Sequence, residues 1–298
     1  MRLCDFGANH TKIRSKSSRF GICQNEIEQV LSLLIQSQNL HLKGFAFHLD
    51  TVSIVEKVAA IEYALALFEK AFELGFSPDV LNIGGGFKLN YLADQTQWHT
   101  YTTALREAVS GERPSITWQG NSFGLKADNK GLRGSFNSYN YYDPVTGPKF
   151  LEELLKQPLA SHNDTSIAQF LRINGIEVWI EPGRSLLDQV GLTIASVVSG
   201  RRSSQNENLL CLEMKRQDLC FLDQEFFVDP IILYRQVEAK NDDYFPVYFA
   251  GNLCLESDLI YRHQTYIKQM PMIGDLVVFP NTAGYFMDFT ACEASCIL

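Results

Sequence analysis

Two apolar runs that end in glycine turns constrain the possible folds of this chain more than any other feature. Val80-Leu81-Asn82-Ile83 runs directly into Gly84-Gly85-Gly86-Phe87, and Val178-Trp179-Ile180 into Glu181-Pro182-Gly183-Arg184. Short apolar runs closed by turn residues read as buried strands, and glycines let backbone N–H groups approach an anion with no Cβ in the way. The second turn adds a glycine N–H and an arginine guanidinium that suit the same anion. Two such turns on neighbouring parallel strands suggest a β/α barrel whose C-terminal rim carries a phosphorylated ligand.

The residues around the first turn support a βαβ order. Phe45-Ala46-Phe47-His48-Leu49 reads as a buried strand, and Ser53-Ile54-Val55-Glu56 has the form of a capping box. Val58, Ile61, Leu65, Phe68 and Phe72 then recur at steps of three and four, one face of an amphipathic helix. Gly75 stands at the C′ position, and Ser77-Pro78 stops the helix from resuming. Residues 26–36 and 98–109 read as the preceding and following helices. From about 111 to 175 turn-forming runs and tyrosines interrupt the pattern, with short helices expected over 150–155 and 165–171, and the stretch reads as an insertion. Tyr139, Tyr141 and Tyr142 either line a pocket there or anchor packing. After Gly191 the texture turns to short β-rich runs, at 192–198, 209–213, 245–250 and 276–279.

Composition narrows the class. A chain of 298 residues can bury a sizeable core as one large or two medium domains. With 46% hydrophobic and 20% charged residues it reads as globular rather than disordered. No apolar run reaches the ~20 residues that span a bilayer, and the N-terminus lacks a signal-peptide core, so no membrane partner is expected. The net charge of -8 argues against a nucleic-acid surface, and Arg201-Arg202 is too short to be a basic patch. Seven cysteines, an odd number without metal-ligand spacing, favour free thiols in a reducing cytoplasm and no metal site.

The order of the motifs resembles the fold type III pyridoxal-phosphate enzymes, namely the ornithine, lysine, arginine and diaminopimelate decarboxylases, with alanine racemase as a distant cousin. Ser18-Arg19-Phe20-Gly21 is similar to that family's S-[KR]-F-G turn, and Gly44 to His48 to its G-x-x-x-H strand. Cys254-Leu255-Glu256-Ser257-Asp258 resembles its cysteine-and-acid loop, and Gly274-Asp275-Leu276-Val277-Val278-Phe279 with Ala283-Gly284-Tyr285 its closing segment. The fold this resemblance implies is α/β + β. An incomplete C-terminal part of a TIM-type (β/α)8 barrel would span residues 1–191, with the insertion at about 111–175. A mainly antiparallel β-domain would follow over 192–298.

The implied cofactor is pyridoxal 5'-phosphate, which works as an electron sink. On the resemblance, Glu181 pairs with its ring nitrogen and His48 stacks on its ring. Thr51, Gly84, Gly85, Gly86, Gly183, Arg184 and Tyr285 surround its phosphate, and Arg2 matches a strand-end arginine nearby. Cys254 and His48 are the implied catalytic residues, with Cys254 reaching the partner's site in a head-to-tail homodimer; Glu256 and Asp258 are the implied substrate ligands. The family's Schiff-base lysine lies on an early barrel strand, whereas Met1 to Asp5 reads as the strand just before the S-[KR]-F-G turn. The expectation is therefore a truncated chain, the C-terminal two-thirds of an enzyme, and Lys88 is a poor substitute for the missing lysine. Leu212 to Asp218 carries cations where the family's amine-binding aspartate turn belongs, so the substrate amino acid stays open. Three readings follow: an amino-acid decarboxylase relative, a non-catalytic regulatory or dimer-partner module of a full-length homologue, and a racemase-type enzyme.

Overall fold

In a computed structural model of the chain, residues 1–4, 18–49, 52–220, 224–237 and 243–287 are described. The helices are α1 (Ile27–Gln36), α2 (Ile54–Glu73), α3 (Gln95–Val109), α4 (Gly147–Leu155) and α5 (Ile167–Ile173). The strands of the two larger sheets are β1 (Arg2–Cys4), β2 (Ile22–Cys23), β3 (Gly44–Phe47), β4 (Val80–Asn82), β5 (Glu177–Trp179), β6 (Leu192–Arg202), β7 (Asn208–Leu212), β8 (Ile231–Leu233), β9 (Phe245–Ala250), β10 (Thr265–Ile267) and β11 (Leu276–Pro280). Contacts divide the chain into two units, 1–88 with 145–186, and 89–144 with 187–298.

The first unit is an all-parallel β/α sheet, part of a (β/α)8-type barrel, with strand order β2-β1-β3-β4-β5. Register pairs Gly44 with Val80, Ala46 with Asn82, and Asn82 with Trp179. The residues that follow β3, β4 and β5 therefore emerge at one end of the sheet, which is where an α/β architecture builds sites. Gly44 is required by close approach, since a Cβ there would lie 1.8 Å from the Val80 carbonyl oxygen.

The signals around α2 act as the sequence indicates. Ser53 caps it by accepting from the Glu56 N–H, and Gly75, at φ +86°, ends it while Phe76 N–H donates to the Ala71 carbonyl. The buried face is turned from the expected one, however. Ile61, Leu65 and Phe68 are buried as expected, but Phe72 is 50% exposed, whereas Ala60, Ala64, Ala71 and Lys57 are fully buried.

The second unit is a six-stranded sheet of order β8-β11-β6-β7-β9-β10, antiparallel except where β7 pairs with β9. The interruption of the β/α pattern, expected over about 111–175, divides differently in space. Residues 89–144, with α3, pack with this β-rich part, while α4 and α5 return to the parallel sheet's core. Aromatic packing accounts for the first half: Tyr141 is fully buried, donates to the Glu225 carbonyl at 2.7 Å and stacks on Trp98. The Tyr139 hydroxyl accepts from the Leu89 N–H at 2.8 Å, so both tyrosines anchor packing. No helix among the described residues is long and apolar enough to cross a membrane.

Candidate functional site

Three strand ends meet in the first unit. His48 follows β3, the glycine turn follows β4, and Glu181 follows β5. His48 Nδ1 lies 3.0 Å from a Glu181 carboxylate oxygen, and the Asn82 side-chain amide donates to the other at 2.9 Å. Burial works against the ionised form of Glu181, but hydrogen bonds from His48 and Asn82, helped by the charge of Arg2, outweigh it and hold the carboxyl below the usual range. Two of the carboxylate's acceptor positions are occupied, and the half-exposed side chain keeps others open to a further donor.

The glycine turn is clamped between its neighbours. Gly84 adopts φ +67°, and a Cβ there would lie 2.4 Å from the Phe47 carbonyl oxygen; a Cβ on Gly85 would lie 2.7 Å from that of Glu181. Its N–H groups are not all equivalent, as a simple anion cradle would make them. Gly84 N–H donates to the Asn82 side-chain oxygen, an Asx turn, at 2.9 Å. Gly85 N–H points at His48 Nδ1, 3.3 Å away. One nitrogen cannot both accept there and donate to Glu181, and the shorter, charge-assisted contact to the carboxylate takes the proton. Gly85 N–H then joins those of Gly86 and Phe87, which have no acceptor among the described residues. Gly183 opens the turn after β5 at φ +51°, followed by Arg184.

Two residues at this site are not marked by the sequence motifs. Asn82 orients both Glu181 and the glycine turn, and its signal is an Asx residue two positions before a glycine. Lys57, fully buried on α2, donates from its ammonium to the Gly85 carbonyl and lies 5.8 Å over the Phe87 ring. It has no carboxylate partner among the described residues, and burial pushes its pKa down to about 8. A buried, unpaired ammonium on a glycine turn calls for an anion nearby. Lys88 instead lies over the Phe150 ring at 5.5 Å. Thr51 falls outside the described residues.

The remaining expected residues belong to the second unit. Cys254 and Glu256 are exposed on a loop whose Leu253 and Leu255 are also exposed. Asp258 is only 5% exposed, and its carboxylate accepts from the backbone N–H groups of Arg216 (2.7 Å) and Leu253 (2.9 Å). It closes the Cys254 loop from inside. The cation expected to repel an amine is also engaged internally: the Arg216 guanidinium donates to the Leu259 and Ile260 carbonyls and pairs with buried Glu225 at 3.2 Å. Lys215 pairs with Asp218. Tyr285 is half-buried with φ +70°.

Residues 4–118 match the family described as pyridoxal-dependent decarboxylase, pyridoxal binding domain. An uncharacterised protein of Sinorhizobium fredii is 26% identical over 280 residues, a match that covers 93% of this chain and 56% of the relative. The diaminopimelate decarboxylase of Staphylococcus aureus is 22% identical over 272 residues, covering 90% of this chain and 49% of that protein. The chain thus spans about half the length of the curated relatives it matches. Among solved structures, the arginine decarboxylase of Paramecium bursaria Chlorella virus shares the fold, with TM-score 0.57 and 18% identity over 96% of this chain and 60% of the other. Over residues 4–118 by sequence, and over most of its length by fold, the chain is similar to the pyridoxal-dependent decarboxylases. The cofactor of that family is pyridoxal 5'-phosphate. The residues present here fit it: an ionised carboxylate for the ring nitrogen, an imidazole beside it, and a turn with open N–H groups for the phosphate.

Proposed function

We propose that this chain works in pyridoxal-phosphate-dependent decarboxylation of an amino acid. The observation that carries the reading is the single cluster of Glu181, His48 and Asn82 beside the glycine turn, at one end of three parallel strands. Bound there, the cofactor supplies an electron sink for the carbanion left by loss of a carboxylate. Glu181, kept ionised by its two donors, holds the ring nitrogen's proton. His48 orients Glu181 and offers a flat face to the ring. Gly85, Gly86 and Phe87 N–H groups, with Gly183 and Arg184, receive the phosphate, and Lys57 sets a positive charge behind the turn.

Cys254 and Glu256 act at the substrate end, and the exposed Leu253 and Leu255 beside them support a loop that enters a partner subunit's site in a head-to-tail dimer. A second reading rests on the lysines. Lys57 is turned onto the Gly85 carbonyl and Lys88 onto Phe150, so neither of these amines is presented to the Glu181–His48 pair. A chain that holds the cofactor pocket beside a lysine-bearing homologue fits that arrangement. Carbon dioxide release from carboxyl-labelled amino acids separates the two. Release that falls about a hundredfold in Glu181→Gln supports the enzyme. Release indifferent to that change contradicts it, and release only with the homologue present favours the partner module.

A further inference from the structure

The second unit contains a pocket of about 870 Å³ between α3 and the sheet, lined by Trp98, Tyr101, Phe227, Asp229, His263 and, at its edge, Arg113. Its interior is polar in an unusual way. His263 is 3% exposed, sandwiched between Tyr261 (4.0 Å) and Phe227 (5.1 Å), and neither ring nitrogen has a hydrogen-bond partner. The buried Tyr101 hydroxyl is unpartnered too. Buried polar atoms are nearly always satisfied, so three orphans lining one pocket point to an occupant that bonds to them. Burial lowers the histidine's pKa to about 3, which keeps it neutral and leaves one nitrogen as an acceptor.

The charge of that occupant follows from the rest of the lining. Asp229 is exposed on the pocket wall, desolvation by the surrounding lining raises its carboxyl pKa, and it has no ion-pair or hydrogen-bond partner among the described residues. Arg113, by contrast, is already engaged by Glu107 at 3.6 Å. Trp98 stacks on Tyr101 and meets Phe227 edge-on, so electron-rich ring faces crowd the same space. Aromatic faces with an unpaired carboxylate attract cations, and the volume suits a small molecule. We propose that this pocket binds a small organic cation, a protonated amine or amidine, through Asp229, the neutral His263 nitrogen and the Trp98–Tyr101–Phe227 faces. All of these residues belong to the second unit, so nothing here depends on how the Glu181 cluster is used.

Calorimetric titration with three isosteres tests it: benzylamine, benzyl alcohol and benzoate. Benzylamine is expected to bind at least about tenfold more tightly than either of the others. In Asp229→Asn, which keeps the shape and removes the charge, that advantage should vanish. His263→Phe, which fills the same stack without orphaned nitrogens, should weaken benzylamine while the variant unfolds at a higher temperature than the parent. Equal affinities, a preference for benzoate, no saturable binding to the folded chain, or an undiminished advantage in Asp229→Asn would each overturn the proposal.

Discussion

Gly84→Ala is expected to destabilise the first unit by about 3 kcal/mol and to pull apart the His48–Glu181 pair. Two effects add at this position. The residue sits at φ +67°, and a Cβ would lie 2.4 Å from the Phe47 carbonyl oxygen and 2.9 Å from the His48 Cα, neither of which can swing away. Gly111 isolates the backbone contribution, because it has φ +79° and a Cβ added there would meet nothing within 4 Å. Gly111→Ala should therefore cost only about 1 kcal/mol. Urea unfolding of both variants measures the difference. Equal losses would mean that crowding against the β3 end contributes nothing.

Lys57→Met should change how stability depends on pH. The folded-state pKa is lowered to about 8 from an ordinary 10.5, so the folded chain releases this proton before the unfolded chain does. Between those values the unfolded state binds more protons, and stability must rise with pH. Below about 8 the ammonium is charged in both states and the burial penalty is fully present; above 10.5 it is gone. The rise is on the order of 3 kcal/mol across the window. Unfolding measured from pH 8 to 10.5 should show this slope in the parent and not in Lys57→Met, and inorganic phosphate should flatten it in the parent by supplying the missing counter-charge. An identical slope in the variant would remove Lys57 from the account.

The parts of this molecule legible in its sequence are those set by neighbouring residues. The two strand ends, the Ser53 cap and the Gly75 stop all depend on backbone conformation within a few positions; the strands end at Asn82 and Trp179, one residue before Ile83 and Ile180, and the cap and stop stand where the residues place them. The buried face of α2 differs from the expected one because its largest apolar side chains do not mark it. Lys57, Ala60, Ala64, Phe68 and Ala71 follow the same three-and-four spacing, and all five are buried. At the glycine turn the residue types indicate an anion, and the Asx turn of Asn82 onto Gly84 is local, but the Gly85 N–H depends on His48 and Glu181, which follow other strands. Asp258 and Arg216 show the same limit. The charge of Asp258 suggests a substrate contact and that of Arg216 the repulsion of an amine, yet the first accepts from two backbone N–H groups and the second pairs with Glu225, all brought near only by the fold. The pocket around His263 is illegible for that reason, since α3 and β10 are far apart along the chain.

Equilibrium dialysis of the purified chain against pyridoxal 5'-phosphate, with pyridoxal in parallel, tests the central claim most directly. If the turn after β4 and the turn after β5 form a phosphate site serving Glu181, uptake should saturate at one phosphorylated cofactor per chain. Pyridoxal, lacking the phosphate, should bind at least about tenfold more weakly. Equal uptake of the two compounds, or uptake that never saturates, would contradict the site described here.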